Sequence, residues 1–474
     1  MLNQVFESFI EESPVSVMFR GTLENIFSSD RLDAIFEDNA ECQISGELAF
    51  STCAGLLSLV TTRIRPSVHA AYRRNVQDVG VSVESVYNKL KGIELSVSEA
   101  MVRETAADLD AIIQEMGATQ DGPLPGYDVR IVDGNHLAGT EHRIQELRRL
   151  GDAPLPGHTV AVLNPHTELI EALIACEDGH ANQKPFYVLL LAQMQRGQCW
   201  LADRDYCTMP FLFGIKRKKA YFLIRHHGAL KGQLIGRRRR VQETQSGVVY
   251  EQPIQLTNQD GETFSMRRIT VALNTPTRDG DSEIYLLSNL PQKAGACQIA
   301  DAYRDRWTIE TAFAKLTQDL RCELNTLGYP KAALFSFCVA VVMYNALSTV
   351  IAAMRVTHPE VATSQSRTSG KERTFSFYYL ADEISGVSRG MAIAIPAHHW
   401  TDAFATLTTK QMAKKLLWLA RRVEAKQFLT NPYGPKTRKK KRKMTTRGGH
   451  VSTYQILQKR KKKKKKTTAK PRSR

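Results

Sequence analysis

The spacing of apolar residues divides the chain into a helical first quarter and a strand-rich middle. Residues 1 to about 125 carry apolar side chains at helical intervals, most clearly over 47–60 and 82–113. From residue 127 the pattern changes to the alternation that is typical of half-buried strands. The strand-like runs are 127–133, 158–163, 168–176, 199–203 and 221–225. An apolar run at 187–195 predicts a helix before the fourth of them.

The second half of the chain begins with another strand-rich stretch and continues with helices. Residues 233–290 contain three strand-like runs separated by turn-rich segments, which predicts an all-β insert. Helical spacing returns over 294–324 and again over 400–426. The pattern therefore predicts a mixed α/β fold of several structural units, as a length of 474 residues also does.

Two neighbouring helical patterns in the first quarter have the spacing of a helix-turn-helix. Residues 82–92 and 95–106 are separated by a short turn, with Gly92 as a candidate C-cap of the first helix. Only three side chains in this stretch are basic. An ordinary helical hairpin is therefore the alternative to a DNA-binding motif.

Residues 332–354 form an apolar segment without a charged side chain, about long enough to cross a bilayer. Polar residues such as Ser336, Asn345 and Thr349 are spread through it, and it directly follows a predicted amphipathic helix. These features favour a buried core helix. The alternative is a membrane-associated protein whose basic C-terminal tail also binds anionic lipid.

The positive charge is concentrated at the C-terminus. The net charge is +17, but residues 436–474 hold 19 Lys and Arg and no acid, which leaves 46 basic and 48 acidic residues elsewhere. A polycationic tail on a near-neutral body predicts sequence-independent attraction to nucleic acid that weakens with salt. Nuclear import or simple solubility is the alternative role for the tail.

The cysteines indicate the compartment. Eight cysteines are scattered without any CxxC pair, and no signal peptide precedes them. We therefore expect reduced thiols in a cytoplasmic protein, associated with the nucleoid if it binds DNA.

Three polar side chains of the predicted helix after the insert are spaced so that they lie on one face of the helix. Tyr303, Arg306 and Glu310 stand at i, i+3 and i+7. At 3.6 residues per turn these side chains share one narrow stripe of a helix. A carboxylate framed by a phenol and a guanidinium suits a site that holds a divalent cation beside a phosphodiester.

Two further carboxylates follow apolar strands. Asp133 ends the run 129–132, and Asp203 ends the run 200–202. Together with Glu310 they offer three anionic ligands, enough to hold two Mg²⁺ ions about 3.5 to 4 Å apart for in-line attack on phosphorus. Either aspartate alone would be interpreted as a surface loop carboxylate, but their order, their strand-end positions and the helix pattern together favour a metal site.

These residues resemble the DDE transposases of the family named for insertion sequence four, which carry a Tyr-Arg-Glu-Lys signature. The resemblance covers about residues 127–353. It implies a ribonuclease-H-like mixed sheet interrupted by a β-rich insertion, with Asp133 on the first strand and Asp203 on the fourth. It also implies that Asp133, Asp203 and Glu310 hold two Mg²⁺ ions, with Mn²⁺ able to substitute. Tyr303 and Arg306 would orient Glu310 and contact the DNA backbone.

The lysine of the signature has no counterpart at its expected place. Seven residues after Glu310 the chain has Thr317, while Lys315 is rotated by about 140° from Glu310 on an ideal helix. Thr317 can donate a hydroxyl, and Arg321 returns to the same stripe three turns on, so either is a candidate replacement. The missing lysine also motivates an alternative, a DNA-binding relative without catalytic activity.

Basic and aromatic side chains in and near the insert are candidate DNA contacts. Two basic clusters are candidate phosphate grips, with solvated charge runs as the alternative: Lys216, Arg217, Lys218 and Lys219, and Arg237, Arg238, Arg239 and Arg240. Relatives that form a hairpin at the transposon end stack a flipped base on a tryptophan of the insert, and this insert has none. Tyr250, Phe264 and Tyr285 are the candidate replacements. Trp307 is expected to face the protein interior.

The patterns and the resemblance together predict six segments and one activity. The segments are a helical N-terminal DNA-binding domain (1–125), a ribonuclease-H-like core in two parts (126–228 and 293–355), a β-rich insertion (229–292), a helical C-terminal region with a dimer contact (356–434) and a disordered polybasic tail (435–474). The activity is cut-and-paste transposition, in which metal-dependent cleavage at element ends precedes attack of the 3′-hydroxyl on target DNA. The expected partners are transposon-end DNA, target DNA and a second copy of the chain, with no membrane.

Overall fold

A computed structural model gives the fold of the chain as a large mixed sheet with helices packed against both faces. The structure describes residues 4–43, 46–182, 185–244, 246–277, 280–361, 372–430 and 449–468, with side chains as far as residue 463 in the last range.

The described residues before the sheet are helical, as their apolar spacing predicts. The helices are α1 (Glu7–Glu12), α2 (Pro14–Ile26), α3 (Ser29–Asn39), α4 (Phe50–Thr61), α5 (Val68–Arg74), α6 (Val76–Val79), α7 (Val83–Gly92) and α8 (Leu95–Glu115). Serine side chains cap three of them, since Ser28, Ser67 and Ser82 each accept a hydrogen bond from the first turn.

Helices α7 and α8 follow each other after a short turn, and both pack against α13, the helix Pro330–Thr357. Gly92 is the last residue of α7, and Ile93 occupies the C-cap position in place of the expected glycine. Helix α8 buries Val97, Met101 and Val102 completely. The opposite side of α8 is exposed at Arg103, Ala107 and Ala111, so the DNA-binding motif and the ordinary hairpin both stay predictions.

Ten strands form one mixed sheet, and two more form a small separate pair. The strands are β1 (Val129–His136), β2 (Ala153–Leu155), β3 (His158–Asn164), β4 (Leu169–Cys176), β5 (Cys199–Ala202), β6 (Tyr221–Arg225), β7 (Gln233–Leu234), β8 (Arg239–Thr244), β9 (Gly247–Thr257), β10 (Thr263–Leu273), β11 (Glu283–Ser288) and β12 (His450–Ser452). The order in the large sheet is β4-β3-β1-β5-β6-β11-β10-β9-β7, with β8 also paired to β9. Only the β1–β5 and β5–β6 pairs are parallel among these.

The five strands predicted from alternation before residue 226 are all present, within a few residues of their expected ends. The strand-rich stretch 233–290 also forms strands, but these strands extend the large sheet rather than building a separate β unit. β11 returns from this stretch to pair with β6. The sheet is therefore continuous from β4 to β7.

The remaining helices lie on both faces of the sheet and at its end. They are α9 (Phe186–Gln193), α10 (Met209–Arg217), α11 (Ala296–Arg304), α12 (Trp307–Gln318), α13 (Pro330–Thr357), α14 (Phe377–Ala394), α15 (Ala397–Trp400), α16 (Thr409–Ala420) and α17 (Thr453–Thr468). Alternate residues of β1 show the two faces. Ile131 packs in the same core as the N-terminal helices and α13, whereas Val132 packs with α9 and α10 on the other side.

Helix α13 is the predicted core helix. It is long and apolar enough to cross a membrane by length and composition, yet its most apolar window is entirely buried inside the protein. Asn345 in the middle of this helix accepts a hydrogen bond from the Ile170 backbone N–H and donates one to the Ile170 carbonyl, both at 2.9 Å. The amide therefore fixes α13 against β4, which explains a polar residue in this segment.

A buried ion pair anchors the chain segment that leads into α11. Arg267 of β10 donates to Glu251 of β9 at 2.6 Å, and both side chains are less than 10% exposed. The same guanidinium donates to the carbonyl of Ala294 at 2.7 Å, just before α11 begins. Because Arg267 donates hydrogen bonds both to a carboxylate of the sheet and to a carbonyl of the loop, it fixes the direction in which α11 leaves the sheet.

The structure differs from the expectation of a wholly disordered C-terminal tail. Residues 449–468 are folded, since β12 pairs in parallel with β2 and α17 follows directly. Val451, Tyr454 and Leu457 are half-buried in this segment and supply the apolar contacts that a purely basic tail lacks. Residues 431–448 and 469–474 of the predicted tail lie outside the described residues.

Candidate active site

Asp133 stands on β1 where its parallel neighbour β5 ends. β1 and β5 pair over Val129–Ile131 and Cys199–Leu201, while β1 continues to pair with β3 as far as His136. Asp133 thus lies within β1 rather than at its end as expected, but beyond the last parallel pair. It faces the same side of the sheet as Ile131, because side chains alternate along a strand.

Asp203 follows β5 directly, as the sequence predicts. Extending the β1–β5 register by two residues places it beside Asp133, on the same face of the sheet. Its carboxylate accepts a hydrogen bond at 2.8 Å from the backbone N–H of Asp205, where a short 3₁₀ turn begins. Burial, the largest cause, raises the pKa of Asp203.

Glu310 and its partners come from two helices rather than one. The predicted continuous helix breaks at Asp305 and Arg306, so Tyr303 lies in α11 and Glu310 in α12. The break leaves these three side chains together in spite of the lost helical register. Arg306 at the break is only 9% exposed.

The Arg306 guanidinium joins two of the three carboxylates. Its Nη1 donates to Asp133 Oδ2 at 2.7 Å, and its Nη2 donates to Glu310 Oε1 at 2.6 Å. Burial works against the charge of Arg306, but Tyr303, Asp133 and Glu310 outweigh it and raise the pKa of the guanidinium. Arg306 is therefore a fixed positive charge in the centre of the site.

The site holds more negative than positive charge. Burial raises the pKa of Asp133 to about 6, and repulsion from Asp203 and Glu310 adds to this effect against the attraction of Arg306. Burial also raises the pKa of the Tyr303 phenol, which is 9% exposed beside Arg306. One guanidinium thus faces three carboxyl groups, and a further cation would lower the energy of their ionised forms.

The donor set suits a hard divalent cation, since it consists of carboxylate oxygens. Among the described residues, no three His, Cys, Asp or Glu side chains are close enough together to hold one ion. The guanidinium of Arg306 stands between Asp133 and Glu310 in this arrangement. The residues present fit a divalent cation by their chemistry and charge. To bind one between Asp133 and Glu310, the Arg306 guanidinium has to move out of that position.

The three residues considered in place of the signature lysine, Thr317, Lys315 and Arg321, differ in exposure and in hydrogen-bond partner. The Thr317 hydroxyl is exposed but donates to the Phe313 carbonyl of its own helix at 2.5 Å. Lys315 points into the protein, where burial lowers its pKa and the charge of Glu168 opposes this. Arg321 lies beyond the end of α12, so it does not return to the stripe, and it donates to the Pro66 carbonyl at 2.7 Å.

Trp307 is exposed, contrary to the expectation that it faces the interior. It is the first residue of α12, and its exposed fraction is 60%. Its ring centroid lies 5.1 Å from the Arg306 guanidinium carbon. An indole at the rim of the site is thus available to contact a ligand.

The cluster Lys216–Lys219 is not near the carboxylates. It ends α10 and precedes β6, whose first residue pairs with the first residue of β5. Asp203 follows the last residue of β5, so the cluster lies at the opposite edge of the sheet. Lys216 is also paired with Glu262 at 2.7 Å.

The cluster Arg237–Arg240 lies at the start of β8 and is partly paired. The ion pairs are Arg238 with Glu283 at 2.7 Å, Arg239 with Glu251 at 2.8 Å and Arg240 with Glu243 at 3.2 Å. All four arginines remain exposed. Three of the four arginines thus use part of their hydrogen-bond donors on carboxylates, and the rest of their donors can contact phosphate.

The three aromatic residues suggested for base stacking are covered or buried. Phe264 is 7% exposed and packs on Phe213 and Phe222 in the core. Arg238 stacks on Tyr250 at 3.9 Å, and Arg268 stacks on Tyr285 at 4.2 Å. Trp307, which is 60% exposed, is more accessible than any of these three rings.

A cavity of about 550 Å³ beside Asp203 was not predicted from the sequence. Its lining includes Arg204, Asp205, Thr208 and His227. The polar run directly after Asp203 was the available signal, but the contribution of His227 depends on the pairing of β5 with β6. None of the three carboxylates is among the residues that line it.

Comparison with known proteins identifies a family for half of the chain. A family model described as Transposase DDE domain matches residues 124–361, half of the chain and the part that contains all three carboxylates. No curated protein matches the chain. The chain belongs to the transposase DDE domain family.

Proposed function

We propose that the protein is an active DNA transposase of the group named for insertion sequence four. It would cleave DNA at the ends of a transposable element and join the released 3′-hydroxyl to target DNA. The observation that carries the proposal is the pair of hydrogen bonds from Arg306 to Asp133 and Glu310, with Asp203 near enough to raise the pKa of Asp133. The strands β7–β11 would be the β-rich insertion of a ribonuclease-H-like core.

Asp133, Asp203 and Glu310 would hold two divalent cations, Mg²⁺ with Mn²⁺ able to substitute. Bound there, such ions stabilise the charge on the attacking and leaving oxygens of a phosphodiester. The support for this assignment is the excess negative charge of the site and its oxygen donors.

The two reactions are balanced by water and by the DNA itself. In the first, water attacks phosphorus, the bond from phosphorus to the 3′-oxygen breaks, and that oxygen leaves as a 3′-hydroxyl. In the second, this hydroxyl attacks a target phosphodiester and displaces another 3′-hydroxyl. Neither step forms a covalent bond to the protein, so the side chains act by position and charge.

Arg306 would position two of the carboxylates and reduce the electrostatic repulsion between the carboxylates and the DNA phosphates. Its two hydrogen bonds hold Asp133 and Glu310 at 2.7 and 2.6 Å, and its charge offsets part of theirs. The buried Tyr303 phenol is a hydrogen-bond partner of Arg306. When a cation enters, the same guanidinium is placed to turn to a DNA phosphate, a bidentate partner that suits its geometry.

A second candidate function is DNA binding without catalysis. It is favoured by the absence of a cation in the stripe beyond Glu310, where Thr317 bonds its own helix and Lys315 is turned inward. Such a relative would bind element ends but would not cut them with any divalent metal.

The test uses DNA fragments that carry the flanks of the protein's own gene, with a supercoiled plasmid as target. Wild-type protein with Mg²⁺ is expected to nick the flanks at fixed positions and to join the new 3′-ends to the plasmid. Asp203→Asn is expected to do neither while it still binds the fragments. Binding without nicking by the wild type would establish the non-catalytic alternative.

We further propose a homodimer that holds two ends together, with residues 376–430 as one contact, because cutting two ends calls for two active sites. A cytoplasmic location in association with the nucleoid follows from a DNA substrate. Sedimentation of the protein with and without end DNA tests the dimer, which predicts one complex with two chains and two ends.

A further inference from the structure

The folded part of the C-terminal tail creates a basic cavity at the same edge of the sheet as the carboxylates. β12 and α17 dock beside β2, and α17 then runs past the start of α13. The cavity between them has a volume of about 620 Å³ and is lined by Lys91, Tyr329, Lys331, Tyr454 and Lys461, among others. We name it the α17 cavity.

The charges around the α17 cavity are mostly positive. Lys91, Lys331, Arg460 and Lys461 line it, and Glu177 is the one acidic residue among the lining side chains. Arg460 is engaged by Glu146 in an ion pair. Glu177 lies near enough to Lys331 and Lys461 to interact with their charges, and the three lysines together leave an excess of two positive charges in the cavity.

Two further features suit an anion. The cavity contains the first residues of α13, a helix of 28 residues whose N-terminus carries a partial positive charge. Lys91 is held in place above the Tyr329 ring at 4.7 Å and by Asn88 Oδ1 at 3.1 Å. The cavity is thus preorganised for negative charge rather than merely lysine-rich.

Specific contacts hold α17 in this place. Gln455 Nε2 donates to Asp178 Oδ2 at 2.8 Å, and β12 pairs with Ala153–Leu155 over its whole length. Ser452 and Thr453 at the junction are fully buried or nearly so. The basic helix is therefore a built part of the fold and not a freely moving polycation.

The register of the sheet places this surface close to the carboxylates. His136 of β1 pairs with His158 of β3, which pairs with Cys176 of β4, and Asp178 follows two residues later. Two strand spacings and three residues along β1 separate Asp133 from Cys176, a distance of about 15 Å, and the next residue, Glu177, lines the α17 cavity. At about 3.4 Å per base pair this equals four or five base pairs of duplex.

We propose that the α17 cavity and the adjoining face of α17 bind backbone phosphates of the DNA duplex whose end lies at the carboxylates. This proposal rests on the proposed function for the identity of that duplex. The three lysines contact phosphates four or five base pairs from the scissile bond and so fix the angle at which the duplex enters. The contact is independent of base sequence, since it involves the backbone alone.

The experiment compares three variants of the full chain with wild type. The cavity variant is Lys91→Gln, Lys331→Gln, Lys461→Gln. Its control is Arg196→Gln, Lys218→Gln, Lys293→Gln, which removes the same charge from exposed positions at the end of the sheet away from the carboxylates. The undocking variant, Tyr454→Ala, Gln455→Ala, Leu457→Ala, keeps every charge but removes contacts that hold α17.

Binding of a labelled 30-base-pair duplex of arbitrary sequence is measured without metal over a range of salt concentrations. Each lost phosphate contact lowers the slope of log affinity against log salt by about 0.9, so the cavity variant should lose about 2 to 3 and bind at least tenfold more weakly at about 0.15 M salt. The control should bind within about twofold of wild type. The undocking variant should weaken several-fold with its helix content retained by circular dichroism.

Two results would overturn the proposal. Equal weakening of the cavity variant and its control would mean that total charge alone matters, and wild-type binding by the undocking variant would mean that a free polycation suffices. Vesicles with phosphatidylserine are measured in parallel, and a cavity variant that loses only vesicle binding would assign the cavity to lipid instead. Because no metal is present, failure of DNA cleavage would contradict the proposed function and leave this result untouched.

Discussion

Replacing Asp133 by asparagine is expected to stabilise the metal-free protein while removing a proposed metal ligand. Burial is the largest cause that raises the pKa of Asp133 from 3.8 to about 6, and Asp203 and Glu310 add to it. A carboxyl group with a higher pKa in the folded chain than in the unfolded chain binds its proton more tightly when folded. Its ionisation therefore destabilises the fold as the pH rises from the lower to the higher value.

The size of the gain follows from those two pKa values. Ionisation of Asp133, with its pKa raised from 3.8 to about 6, costs about 3 kcal/mol at pH 8, about 1.5 kcal/mol at pH 5 and about 0.5 kcal/mol at pH 4. The asparagine amide keeps the shape of the carboxyl group without its charge. Asp133→Asn should thus raise the free energy of unfolding by up to about 3 kcal/mol at pH 8 and by little at pH 4.

Urea unfolding followed by circular dichroism in the presence of a chelator measures this difference. Asp205→Asn is the matched control, because Asp205 is an exposed carboxylate of the next turn and its loss should change stability by less than about 0.5 kcal/mol. Saturating Mg²⁺ should stabilise the wild type and narrow its gap to Asp133→Asn. A variant that is neutral or destabilised at pH 8, or a gain that is equal at every pH, would refute the reasoning.

Three further predictions concern the core, the signature stripe and the rim of the site. Asn345→Leu should lower the free energy of unfolding by about 1 to 3 kcal/mol in urea unfolding, because the backbone groups of Ile170 lose their partners; unchanged stability would contradict this. Thr317→Lys should tighten binding of end DNA several-fold by restoring a cation on the stripe of Glu310, whereas Gln318→Lys, about 100° further round the helix, should not; equal effects in a binding titration would contradict it. Trp307→Ala should weaken end binding by about 1 to 3 kcal/mol if the exposed indole stacks on a base, and equal affinity would exclude that contact.

Local pattern was sufficient for the five strands expected before residue 226 and for the position of Asp203 directly after one of them. β5 is apolar at every position and ends at Asp203, so both the strand and its terminal acid are visible in the sequence. The parallel pairing that puts Asp133 next to Asp203 is a non-local contact, which the resemblance suggested and the strand spacing alone does not encode.

The helix after the insert shows where local pattern is incomplete. The i, i+3, i+7 spacing correctly groups Tyr303, Arg306 and Glu310, but the helix breaks at Arg306. The break turns Trp307 outward, which reverses the expectation for that residue. The hydrogen bond from Arg306 to Asp133 joins residues 173 positions apart in sequence. It holds Arg306 at the break between α11 and α12, which a local pattern cannot indicate.

The C-terminal segment shows the same limit in another form. Composition correctly identifies a polycation, but the docking of α17 depends on three residues of β12 that pair with β2 far earlier in the chain. Half-buried Val451 and Leu457 are too few to stand out beside so many lysines. Long-range pairing therefore determines the structure where composition alone predicts disorder.

The most direct test of the account is the rate of metal-dependent cleavage of end DNA by Glu310→Gln. The substitution keeps the shape of the side chain and its contact with Arg306 but removes the charge that a cation needs. The account predicts a fall in the single-turnover rate with Mg²⁺ of at least about 10³-fold, with end binding kept within a few-fold, while Asp205→Asn cleaves at the wild-type rate. Cleavage by Glu310→Gln at the wild-type rate would contradict the assignment of these carboxylates as the catalytic site.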